Sequence, residues 1–84
     1  MVTKEVIRMK NYGGDWFMIF KSTNVRNAFF AYATEKYEHM CELSFVRLLS
    51  DNGMEIGRDI KRDVIDGAIK AFAKSEKITC EVRN

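Results

Sequence analysis

The sequence predicts an α+β domain, a ferredoxin-like β-α-β-β-α-β run preceded by an extra N-terminal hairpin strand. Three observations point there. Apolar and charged residues alternate near both ends of the chain, which is the period of strands. Two inner stretches repeat apolar residues at helical spacing. No linker, repeat, low-complexity stretch or proline interrupts the 84 residues, so 1–84 reads as one domain built mostly of regular elements.

Residues 3–10 read as the first strand, with Val6, Ile7 and Met9 set among charges. Asn11-Tyr12-Gly13-Gly14 is a turn signal, because glycine takes positive φ without steric cost. Residues 15–21 then form the second strand of a hairpin. This strand is apolar on both faces. Trp16, Met18 and Phe20 point one way, Phe17 and Ile19 the other. Helices cover one face of a small sheet, so the second apolar set calls for a partner, another copy or a ligand.

Ser22-Thr23-Asn24 supplies N-cap candidates. Val25, Phe29, Tyr32, Ala33 and Tyr37 then recur at helical spacing, which predicts an amphipathic helix over 24–38. Residues 42–50 carry Leu43, Phe45, Val46, Leu48 and Leu49, an apolar run that fits a buried strand or a short helix. Asp51-Asn52-Gly53 breaks the chain, and Met54-Glu55-Ile56 reads as the return strand of a hairpin. A second helix follows over 59–74, with Asp59 as its cap. Ile60, Val64, Ala68, Ala71 and Phe72 share one face, Ile65 and Ile69 lie at its edge, and Arg62, Asp66, Lys70 and Lys74 form the wet side. Ile78, Cys80 and Val82, alternating with Thr79, Glu81 and Arg83, give a last strand buried on one side.

Composition excludes several classes. The 46% hydrophobic and 31% charged fractions argue against disorder. No run of eighteen apolar residues spans a membrane, and Met1-Val2-Thr3-Lys4-Glu5 lacks the apolar core of a signal peptide. The expectation is therefore a cytoplasmic protein with Cys41 and Cys80 as reduced, largely buried thiols. Fourteen basic residues against twelve acidic ones leave +2, with the signs interspersed. That balance permits nucleic-acid contact without predicting it.

Catalytic chemistry finds little support. The single histidine, His39, sits in Glu38-His39-Met40-Cys41-Glu42, and adjacent side chains splay apart on either regular element. His39, Cys41 and Cys80 could supply three metal ligands, but no CxxC or HxxxH spacing supports a site. Asp59, Asp63 and Asp66 fit the start of a helix, where acids favour the dipole. Gly13-Gly14 matches no phosphate-binding glycine motif. No cofactor is expected.

Nucleic acid enters in two ways. Trp16, Phe17 and Phe20 could stack bases if their strand is central. The second aromatic strand of an RNA recognition motif is missing, since Met54-Glu55-Ile56-Gly57 holds no aromatic. Asn52-Gly53-Met54-Glu55-Ile56-Gly57, followed by Lys61-Arg62 and then Val64, Ala68, Ile69 and Phe72, resembles the second half of a double-stranded RNA-binding domain. The resemblance covers a quarter of the chain and implies phosphate contacts from Lys61 and Arg62. It departs from the family between the glycine and the helix, and Asp59 and Asp63 flank the basic pair.

These features favour a non-enzymatic regulator, adaptor or inhibitor, a homodimer or one that docks on a larger protein. Trp16, Phe17, Met18 and Phe20 are expected to form or support that interface. The alternative is an RNA-binding module using Arg58, Lys61 and Arg62, with Lys4, Arg8 and Lys10 and the strand aromatics.

Overall fold

The computed structural model describes residues 4–36, 46–48, 52–57 and 60–84. Its elements run β1 (Lys4–Tyr12), β2 (Asp15–Phe20), α1 (Thr23–Lys36), β3 (Val46–Leu48), β4 (Gly53–Ile56), α2 (Arg62–Glu76) and β5 (Thr79–Arg83). They form a five-stranded sheet in the order β3-β4-β2-β1-β5, which is the α+β class the sequence predicts. From β2 onward the chain follows the split run, with β4 lying between β2 and β3. The N-terminal strand is no appendage at an edge. It sits between β2 and β5, because the hairpin places β1 on the side of β2 that β4 leaves free. The connection through α2 therefore passes two strands before β5 pairs with β1 in parallel, the one parallel pairing among the described residues.

The hairpin is tighter than its turn signal. Asn11 and Tyr12 belong to β1, and the loop is Gly13-Gly14 alone. Gly13 has φ 62° and Gly14 φ 98°, the two positive values a type I′ turn demands. Asn11 Oδ1 accepts the Gly14 N–H at 3.2 Å.

The core lies on one side of the sheet. Ile7 and Met9 of β1, Met18 and Phe20 of β2, and Met54 and Ile56 of β4 meet Phe29 and Ala33 of α1 and Ile65, Ala68, Ile69 and Phe72 of α2. Phe29 joins the layers, its ring 5.7 Å from Phe20 and 5.3 Å edge-on to Phe72. Burying side chains of this size contributes about 1.5–3 kcal/mol each before chain entropy is counted.

Two helical details differ from the expectation. The second helix begins at Arg62 rather than 59, so Ile60 is buried ahead of it and does not set its face. The face is set by Ile65, Ala68, Ile69 and Phe72, at i, i+3, i+4 and i+7, which turns Val64 outward to 38% exposure. The first helix ends at Lys36, and residues 37 and 38 of the predicted helix lie outside the described residues. In the 42–50 run, Val46–Leu48 is strand and pairs with β4 as a hairpin; the rest lies outside the described residues.

Two charged residues are built into the structure. Glu5, on the core side of β1, accepts the Lys21 N–H, the Ser22 N–H at 3.1 Å and the Ser22 Oγ–H at 2.7 Å. Ser22 is the N-cap of α1, since its carbonyl accepts the Arg26 N–H. The first turn of α1 holds no acid, and Glu5 brings a carboxylate there from β1. Arg26, also buried, donates to the Gly53 carbonyl at 2.8 Å and to Asn27 Oδ1 at 2.7 Å, tying α1 to the start of β4.

Candidate binding face

Strand alternation and register settle which side chains share the sheet face away from the helices. Lys4, Val6, Arg8, Lys10 and Tyr12 of β1 lie there, with Asp15, Phe17 and Ile19 of β2, Glu55 of β4 and Thr79, Glu81 and Arg83 of β5. Lys21 follows β2 on the same side. Arg8 stands in register with Arg83 on one neighbour and Ile19 on the other, and Lys10 with Phe17.

Apolar and cationic groups meet on this face. Tyr12, 59% exposed, packs edge-on to Phe17 with ring centroids 5.3 Å apart. Ile19 is 38% exposed. A depression of about 400 Å³ is lined by Val6, Ile19, Phe20 and four cations, Arg8, Lys10, Lys21 and Arg83, with no acid. The neighbouring acid Glu81 is already engaged. It accepts from Lys4 at 3.0 Å and from Arg83 Nε, and those two hydrogen bonds hold its carboxyl below the usual carboxylate range. Among the described residues, Arg8, Lys10 and Lys21 make no side-chain ion pair.

The four residues expected at a protein interface divide between the two faces. Met18 and Phe20 are packed into the core on the helix side, with at most 1% exposed, so they can support a contact but do not present a surface for one. Trp16 also faces the helix side, half-buried, with the Arg62 guanidinium 4.8 Å above its ring. Of the four, Phe17 alone belongs to the open face.

The cations of the nucleic-acid alternative divide in the same way. Lys4, Arg8 and Lys10 share the open face, whereas Lys61 and Arg62 start α2 on the other side of the sheet. Arg62 is bound to Asp66 at 2.8 Å and stacked on Trp16, so it is not free to reach a phosphate as the double-stranded RNA-binding resemblance implies. Arg58 lies outside the described residues. A second aromatic on the open face is Tyr12, which belongs to β1 although it stands beside the turn glycines. Its signal was parity: Tyr12 falls two residues beyond Lys10 on the same face of β1.

Candidate catalytic groups do not assemble among the described residues. His39, Cys41 and Asp59 lie outside them. Asp66 is paired with Arg62, and Asp63 is exposed in the first turn of α2. Cys80 is a half-buried free thiol whose pKa is pushed up by burial and then by the negative charge of Glu5, the opposite of an activated nucleophile. No group of three or more His, Cys, Asp and Glu side chains that could hold a metal ion is present among the described residues. No described helix is long and apolar enough to cross a membrane.

The chain matches no protein-family model, no curated protein and no solved structure.

Proposed function

We propose that this protein is a non-enzymatic binding module that engages an anionic macromolecule through the open face of its sheet. The observation that carries the reading is the cluster of Arg8, Lys10, Lys21 and Arg83 around Val6 and Ile19, in which only Arg83 is bonded to an acid among the described residues, beside the Tyr12–Phe17 pair. Arg8 and Arg83 stand in register on adjacent strands, where like charges oppose each other and lower stability. Such an arrangement gains its value when a negative partner arrives. Pairing two copies face to face would instead bring the cations of one against those of the other, so this face favours an anionic partner over a homodimer. The free thiol of Cys80 accords with a reducing, cytoplasmic setting.

Retention on immobilised heparin tests the reading. Arg8→Glu/Lys10→Glu reverses two charges on the face, and Lys70→Glu/Lys74→Glu reverses two exposed charges on α2. Both variants change net charge equally. The sheet-face variant is expected to elute at clearly lower salt than the helix variant. Equal elution of the two would refute the assignment of the face.

A further inference from the structure

Resting on that reading, we infer that the anionic partner is a single-stranded nucleic acid, its backbone lying along the Arg8, Lys10, Lys21 and Arg83 cluster and its bases stacking at Tyr12 and Phe17. Three features select this chemistry. The cations border an apolar floor rather than isolated surface points, so a ligand must offer both anionic and flat apolar parts. Nucleotides do, with phosphates for the guanidinium and ammonium groups and bases for the rings. Tyr12 is largely exposed while braced edge-on by Phe17, which leaves an aromatic surface at the hairpin end of the cationic cluster. A duplex buries its bases and would leave that surface idle. An acidic peptide would satisfy the cations and give the aromatic pair no defined role.

The binding strands also suit the task mechanically. Both belong to the hairpin, are locked by six register pairs and present side chains from central positions of the sheet. Arg8 and Lys10 are two residues apart on one strand, so they lie about 7 Å apart along it. A flexible single strand can adapt to that spacing.

Fluorescence anisotropy with labelled 12-mers of uridylate and deoxythymidylate tests the proposal on the full chain. A blunt 12-base-pair duplex and poly-L-glutamate serve as competitors. The expected result is single-strand binding that weakens log-linearly with salt, with a slope near −3 for about four phosphates. Phe17→Ala and Tyr12→Ala should each weaken it about tenfold, within the range for loss of one stacked base. Tyr12→Phe should bind as the native chain does. Circular dichroism confirms that each variant is folded, and Tyr12→Ala at the rim of the sheet remains informative should Phe17→Ala unfold.

Equal affinity for the duplex with no effect of Tyr12→Ala would overturn the single-strand inference and leave a charge-reading face. Competition by poly-L-glutamate as strong as by oligouridylate, at matched charge, would reassign the face to an acidic protein. If heparin retention is also indifferent to Arg8→Glu/Lys10→Glu, the binding-face reading itself falls.

Discussion

Replacing Glu5 with alanine tests how the sheet and the first helix are joined. Glu5 is 1% exposed, and its carboxylate accepts three hydrogen bonds, from the Lys21 N–H, the Ser22 N–H and the Ser22 hydroxyl. Hydrogen bonds to a charged group are worth about 1.5–3 kcal/mol each, and three on one carboxylate are not additive. Removing the charge also relieves its desolvation, which offsets part of the loss. We expect Glu5→Ala to cost about 3 kcal/mol, set by the partly buried donors it leaves without a partner. Glu5→Gln keeps one oxygen for the two N–H groups and can donate to Ser22 Oγ. It should lose mainly the favourable charge at the start of α1, about 1 kcal/mol.

Both variants can be measured by urea denaturation followed by far-ultraviolet circular dichroism. An 84-residue domain has a total stability of only about 4–13 kcal/mol, so the alanine variant should show a large drop in midpoint. A double-mutant cycle with Ser22→Ala isolates the hydroxyl contact and should give a coupling of about 1 kcal/mol. A Glu5→Ala cost below about 0.5 kcal/mol, the range of ordinary surface substitutions, would refute the account.

Two further outcomes follow from local geometry. Lys77 closes α2 with φ 57°, and its N–H and that of Ile78 cap the Lys74 and Ala73 carbonyls. Lys77→Gly removes the left-handed strain and should stabilise the fold by about 0.5–1 kcal/mol, raising Tm by about 3–6 °C in a thermal melt. In a Cys41→Ser background, Cys80 should react with an aromatic disulfide reagent at pH 8 at least about tenfold more slowly folded than unfolded, because the thiolate is the reactive form. The raised thiol pKa carries a definite sign. Its stabilising contribution is complete below the ordinary thiol pKa and is lost as pH rises through the folded value. Equal rates for the folded and unfolded protein would contradict the thiol's burial.

The sequence made local periodicity legible and left long-range placement hidden. The two-sided apolar character of β2 and the alternation in β5 both correspond to strands, and the Met54-Glu55-Ile56 segment is the return strand of a hairpin. What sequence could not convey was where β1 belongs. Its pairing with β5 spans most of the chain and is parallel, so no turn or spacing encodes it. The same limit hid the two buried charges. Glu5 finds its partners sixteen and seventeen residues away, and Arg26 reaches a carbonyl twenty-seven residues away. The four residues expected to form or support an interface are divided between the two faces for a narrower reason. Trp16, Met18 and Phe20 are the bulkier set on β2, but bulk is what a core face requires, so the smaller set of Phe17 and Ile19 remained for the open side.

The charges of the open face are what the proposed binding role rests on. Opposite charges in register stabilise adjacent strands, and the acids of this face, Asp15, Glu55 and Glu81, stand opposite Tyr12, Phe17 and Val6 rather than opposite Arg8 or Lys10. Here β1 contributes Lys4, Arg8 and Lys10 without an acid on that side, and β5 adds Arg83 opposite Arg8. The carboxylate on β5, Glu81, bonds Lys4 and Arg83, and among the described residues Arg8 and Lys10 make no side-chain ion pair. Glu81 thus relieves the worst of the repulsion at the β1–β5 pairing while the positive potential near Ile19 and Phe17 survives. Under the proposed binding role, stability and binding would make opposite demands on this pair of strands, and Glu81 would meet the first while leaving room for the second.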